Sequence, residues 1–147
     1  MSTIGFDTSN YTTSTAWTDG KTDINVRQIL YVKDGERGIR QSDGVFQHMK
    51  LMPVMYEKLS EQIDFKDVKA VGVSTRPRCV EGSYMPVFLA GEGYAKVVAN
   101  TVGVPLYEFS HQDGHIMAGI YSSGSFELLE NDFISVHLSG GTTEILK

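Results

Sequence analysis

A single cysteine, Cys79, occurs in 147 residues, which excludes an intramolecular disulfide framework and a four-cysteine zinc site. Such scarcity fits a reducing compartment, and a cytoplasmic location is expected. Basic residues are also in deficit: 13 Lys and Arg stand against 18 Asp and Glu, a net charge of −5. That balance argues against a broad basic surface for nucleic acid, so an RNA partner would need a local patch. No apolar run approaches the roughly 20 residues that cross a bilayer, and Met1 to Phe6 carries neither a basic leader nor an apolar stretch. Neither secretion nor a membrane partner is expected. What the chain does have is 41% hydrophobic residues, enough to bury a core at the scale of one globular domain or slightly more.

Hydrophobic periodicity sets the order of elements. Ile4, Phe6 and Thr8 alternate on one face of a strand, Asn10 and Tyr11 form a polar turn, and a second strand runs through Ser14, Ala16 and Trp17. After the Asp19-Gly20 turn, Val26 to Val32 reads as a third strand. Ser42 is placed to cap a helix whose core stripe is Val45, Met49, Met52, Tyr56 and Leu59, with Pro53 expected to kink or split it. Val68, Ala70, Val71 and Val73 make a central strand covered on both faces. Pro86 opens a second helix, with Val87, Ala90, Tyr94, Val97, Val98 and Thr101 facing inward and Gly103 then Pro105 as stop signals. A fifth strand over 104–109, a third helix capped by Ser110 and running to about Tyr121, and a break at Ser122 to Ser125 complete the order βββαβαβα. His48 is expected at the surface or boundary of the first helix.

The segment Ile4 to Thr13 aligns without gaps on Ile134 to Thr143, an offset of 130 residues, with Ile, Ser, Thr and Thr coinciding. Either the common Ser and Thr coincide by chance in a ten-residue window, or a second copy begins near Asn131, so that residues 1–130 form one lobe and residues 131–147 open a second whose remainder lies beyond Lys147.

Three segments carry chemistry. In His111-Gln112-Asp113-Gly114-His115 the histidines sit four apart, about 40° around a helix, so both imidazoles leave one face and are able to share a cation; two surface histidines on an amphipathic helix remain the other reading. A helix N-terminus disfavours imidazolium and keeps the rings neutral. A zincin peptidase needs a glutamate beside its first histidine, and Gln112 cannot take a proton. Ser139-Gly140-Gly141-Thr142-Thr143 follows an alternating strand over 133–138 and offers backbone N–H groups to a phosphate; a plain glycine turn remains the other reading. Asp7-Thr8-Ser9 has the same character, with Asp7 able to reach a magnesium ion. Arg76-Pro77-Arg78 leads toward the second helix and is a weaker anion candidate, while Gly91-Glu92-Gly93 lies within a helix and reads as close packing.

These residues resemble the amino-terminal half of the tRNA threonylcarbamoyladenosine synthase family, the glycoprotease-like proteins formerly called O-sialoglycoprotein endopeptidases. Ile4 to Ser9 resembles its G-I-[DE]-T-S strand, Arg40 to Pro53 with His48 its first helix, and Pro77, Gly82-Ser83 and Val104-Pro105-Leu106 its central block. His111 to His115 resembles its H-x-[ED]-G-H motif and Ser139 to Thr143 its S-G-G-H-T loop. Arg76-Pro77-Arg78 stands where the family has G-P-G, Thr142 replaces a histidine and Asp113 a glutamate, which marks a divergent member.

The resemblance implies an α/β fold, a ribonuclease-H-like lobe of the actin-like ATPase or sugar-kinase-like two-lobe architecture. It implies an iron or zinc ion held by His111 and His115, with a further ligand from a second half. It also implies that His137, Leu138, Ser139, Gly140 and Gly141, with Asp7 and Ser9, lie against ATP or a threonylcarbamoyl-adenylate, with magnesium as an additional cation. The implied reaction is transfer of the threonylcarbamoyl group to adenosine in tRNA, in company with a homologous paralogue and a small ATPase; a homodimer is a further expectation. This chain alone is expected to be inactive. A noncatalytic paralogue that binds a homologous partner and a metallopeptidase are the alternatives.

Overall fold

The computed structural model describes residues 1–138 and 143–146. Its elements are β1 (Ser2–Asp7), β2 (Thr12–Thr18), β3 (Asp23–Ile29), α1 (Gln41–Ser60), β4 (Val68–Arg76), α2 (Phe88–Val102), β5 (Leu106–Ser110), α3 (His111–Ser123), β6 (Ser135–Leu138) and β7 (Thr143–Leu146), with 3-10 turns at Phe65–Asp67 and Phe126–Glu130. The expected order βββαβαβα is therefore observed. The chain divides into two compact units, Met1–His111 and Gln112–Lys147.

In the first unit five strands form one sheet in the order β3-β2-β1-β4-β5. The first three strands pair antiparallel, as successive hairpins must, and β1, β4 and β5 run parallel through helical crossovers. Alternation along β1 buries Ser2, Ile4, Phe6 and Thr8 and turns Asp7 to the opposite face. Ile4 and Phe6 pack with Val68, Val71 and Val73 of β4, Met52 and Leu59 of α1, and Ala95 and Ala99 of α2. Each large apolar side chain sealed in this way contributes about 1.5–3 kcal/mol.

Several local expectations are corrected. The third strand starts at Asp23 and stops at Ile29, three residues short of Val32, because the Gln47 amide of α1 captures both backbone groups of Tyr31. The α1 helix begins at Gln41 behind Arg40, which makes no side-chain cap bond, so Ser42 is not the cap. Its buried stripe is Gly44, His48, Met52, Met55 and Leu59, while Met49 is exposed. Pro53 neither splits nor ends the helix. Proline deprives the Met49 carbonyl of its intrahelical donor, and the Tyr94 hydroxyl of α2 donates to that carbonyl at 3.0 Å instead. On α2 the first helical residue is Phe88 rather than Pro86, and the inner face uses Gly91, Ala95 and Ala99, leaving Val97 and Thr101 exposed. Gly103 ends α2 as expected, with φ +78° and its N–H on the Ala99 carbonyl.

The second unit contains most of α3 and an antiparallel hairpin of β6 and β7. Adding 130 to both members of the pairs Asp7↔Ser14, Phe6↔Thr15 and Gly5↔Ala16 of the first hairpin yields His137↔Glu144, Val136↔Ile145 and Ser135↔Leu146, which are the pairs of the second. His137 thus holds in its hairpin the place that Asp7 holds in the first.

Candidate functional site

The carboxyl ends of the parallel strands β1, β4 and β5 lie side by side, the edge at which α/β sheets gather ligand-binding residues. Asp7 is the last residue of β1, and His111 follows directly on β5 as the first residue of α3. Their side chains meet: His111 Nδ1 lies 2.9 Å from Asp7 Oδ2. The other carboxylate oxygen accepts the Ser9 backbone N–H at 2.7 Å. Burial pushes the Asp7 carboxyl up, but the hydrogen bond and charge of His111, with further bonds from Ser74 and Ser9, outweigh it and lower its pKa to about 2. An ionised Asp7 only accepts, so His111 Nδ1 carries the hydrogen and donates it.

Next to Asp7, Thr8 ties the end of β1 to the first turn of α2. Its buried hydroxyl donates to the Val87 carbonyl at 2.8 Å and accepts the Gly91 N–H at 3.0 Å. A Cβ on Gly91 would stand 2.9 Å from that hydroxyl oxygen, so close packing is why glycine is there. By contrast, a Cβ on Gly93 would meet nothing within 4 Å among the described residues.

His115 follows His111 by four residues on α3. Within the second unit its ring centroid lies 5.3 Å from that of His137. Among the described residues the buried His137 Nδ1 has no hydrogen-bond partner; it lies 3.9 Å from Glu144 Oε2, and the Gln112 amide donates to the same Glu144 oxygen at 2.6 Å. His137, assigned by resemblance to the nucleotide loop, is thus beside one of the two expected metal-binding imidazoles. Leu138 is exposed. Ser139, Gly140, Gly141 and Thr142 lie outside the described residues. Among the described residues no group of three or more His, Cys, Asp or Glu side chains is arranged to hold a metal.

The donor chemistry of His111 nevertheless fits a metal, because a ligating imidazole commonly gives its second ring N–H to a carboxylate. Arg76 folds onto its own loop, donating to Thr75 Oγ1 at 3.2 Å and lying 3.8 Å from the exposed Cys79 sulfur. The first residue of α2 comes five positions after Ser83.

One buried polar residue was hidden by the periodicity. His48 is fully buried, shares a 2.7 Å hydrogen bond through Nδ1 with Thr13 Oγ1, and has no described partner at Nε2. Burial pushes its pKa down, against smaller opposing effects of the Asn10 backbone and Asp7. Only its spacing, four residues from both Gly44 and Met52, signals the buried face.

The topology is that of an α/β lobe with the ribonuclease-H-like, actin-like ATPase fold. The solved structure of YeaZ from Pseudomonas aeruginosa matches with a TM-score of 0.52 at 15% identity, covering 75% of this chain and 43% of that one. A second, described as an uncharacterized protein with similarity to peptidase YEAZ from Pseudomonas aeruginosa, gives 0.57 at 12% identity over 99% and 63%. No family model matches. In sequence, the chain is 32% identical over 98 residues to the tRNA N6-adenosine threonylcarbamoyltransferase of Christiangramia forsetii, covering 66% of this chain and 27% of that protein. It is 28% identical over 144 residues to the protein of that name from Pyrobaculum calidifontis, covering 97% and 40%. The chain is a divergent relative of the tRNA N6-adenosine threonylcarbamoyltransferases, and it spans between 27% and 40% of the length of these two. Among the described residues no helix is long and apolar enough to cross a membrane.

Proposed function

We propose that this chain is the first part of a metal-dependent, nucleotide-binding transferase that moves a threonylcarbamoyl group from its adenylate to N6 of adenosine in tRNA. In that reaction the N6 nitrogen bonds to the carbamoyl carbon, the carbon–oxygen bond to the adenylate breaks, AMP leaves and the amine loses a proton. Residues 1–130 serve as one lobe and residues 131–147 begin its partner, a reading that the shared register of the two hairpins supports. The observation that carries the proposal is the Asp7–His111 pair at the carboxyl ends of β1 and β5, in a chain related to transferases of that name.

In this reading His111 and His115 hold an iron or zinc ion, and the remaining ligands come from outside this chain. When bound, the metal supplies Lewis-acid polarisation of the transferred carbonyl. Asp7 and Ser9 at the end of β1, with residues 137–141, border the ATP or acyl-adenylate and any accompanying magnesium. The protein works in the cytoplasm with a homologous paralogue or a second copy of itself and a small ATPase.

The test uses the complete product of the native gene, supplied with the partner proteins and with tRNA lacking the modification. Transfer and stoichiometric metal, both lost in His111→Ala and His115→Ala, support the proposal. A wild-type protein that holds a homologous partner but neither retains metal nor transfers would be a binding paralogue. Cleavage of a glycoprotein that vanishes in His111→Ala would make it a peptidase.

A further inference from the structure

We propose that Asp7 is a positioning residue for His111: its carboxylate fixes the imidazole in the Nδ1–H tautomer and makes Nε2 the nitrogen that takes a divalent metal. The inference rests on His111 being a metal ligand and gives Asp7 a part other than contacting the nucleotide. Three observations support it. Both carboxylate oxygens are engaged, Oδ2 at 2.9 Å from His111 Nδ1 and Oδ1 by the Ser9 N–H at 2.7 Å, so the group is aimed rather than free to swing toward a cation. Its backbone is rigid, since Asp7 pairs with Ser14 of β2 and the adjacent Phe6 pairs with Val73 of β4. The contact joins residues 104 apart in sequence at the point where β5 passes into α3, so it also sets the direction in which the His111 ring leaves the helix start.

An imidazole bound through Nε2 must hold its hydrogen on Nδ1, and a carboxylate acceptor enforces this. Asp7→Asn keeps the shape but brings an amide N–H that donates to Nδ1. The ring then moves its hydrogen to Nε2, as happens when the aspartate behind a catalytic histidine is amidated.

The experiment uses the whole chain. At pH 8 and without metal, nitrogen-15 NMR of the histidine rings reads the tautomer; zinc affinity is then measured by competition with a chromophoric chelator. Expected results are an Nδ1–H tautomer for His111 in the wild type and an Nε2–H tautomer in Asp7→Asn. Zinc affinity should fall about 10–100-fold in Asp7→Asn. The variant carrying both Asp7→Asn and His111→Ala should bind zinc no more weakly than His111→Ala alone, because Asp7 acts through His111.

An Nε2–H tautomer in the wild type would overturn the inference without any variant having to fold. So would undiminished zinc affinity in Asp7→Asn while His111→Ala is weakened, or a further loss when Asp7→Asn is added to His111→Ala. Zinc binding by His111→Ala that equals the wild type would instead remove the metal reading itself.

Discussion

Two glycines on the same helix are expected to respond to alanine with opposite signs. Gly91 and Gly93 are both inside α2, where replacing glycine by alanine gains about 1 kcal/mol of helix propensity. At Gly93 nothing among the described residues lies within 4 Å of the added methyl group, so Gly93→Ala should stabilise the chain by about that amount. At Gly91 the methyl would stand 2.9 Å from Thr8 Oγ1 and 3.3 Å from Thr8 Cγ2. Thr8 has no room to yield, because its hydroxyl is bonded to both Val87 and Gly91 and the residue is fully buried. Overpacking of this kind costs about 1–3 kcal/mol, and rotating the threonine away forfeits hydrogen bonds worth about 0.5–1.5 kcal/mol each. After the propensity gain, Gly91→Ala should be destabilised by up to about 2 kcal/mol, which separates the two variants by about 1–3 kcal/mol. Urea unfolding measures this from the midpoints at unchanged slope, and thermal melting should show about 2–4 °C per kcal/mol. The loss of unfolded-chain entropy is common to both substitutions, so their difference isolates the packing. A Gly91→Ala protein as stable as Gly93→Ala would refute the Thr8–Gly91 contact.

Thr13→Val keeps shape but removes the partner of the buried His48 Nδ1, and should cost about 1–3 kcal/mol in urea unfolding; an unchanged midpoint would show that the bond contributes nothing. His48 is held neutral by burial with its pKa below the ordinary 6.5, so below that value the unfolded chain takes the proton first. Its contribution to stability is therefore complete above about pH 6.5 and is lost as pH falls through the folded value. The urea midpoint of the wild type should drop more steeply between pH 7 and pH 5 than that of His48→Gln, and equal slopes would contradict this. Tyr94→Phe removes the donor to the Met49 carbonyl and should cost about 0.5–1.5 kcal/mol. In a Pro53→Ala background, where the helix supplies its own donor, the same change should cost less; an equal cost in both backgrounds would show that the hydroxyl does not compensate for the proline.

The expected order of strands and helices was recovered because alternation, helical spacing and turn residues act within a few positions of one another. Asn10, Asp19-Gly20 and Gly103 all mark turns or ends in the structure, Asn10 with φ +43° and Gly20 with φ +85°. The α1 face was misread because its stripe includes Gly44 and His48, which a search for apolar residues passes over. Pro53 does not split α1, and the donor that serves the Met49 carbonyl in its place belongs to another helix, 41 positions later in the chain. The pairing of His111 with His115 on one helix was likewise legible, whereas the nearness of His137 to His115 was not.

The sequence by itself determined what depends on short-range geometry: which segments become strands and helices, that Gly103 ends α2, and that the two histidines of α3 share one helix. Its likeness to the threonylcarbamoyltransferases also lies in local motifs. Tertiary structure alone decided that Asp7 meets His111, that Thr8 presses on Gly91, and that His48 is sealed beneath Thr13. Each of these contacts joins residues 35 to 104 positions apart, brought together by the sheet order β3-β2-β1-β4-β5 and its register. The physical reason is that a strand's alternation says which residues share a face, but only its neighbours in the sheet say what that face touches.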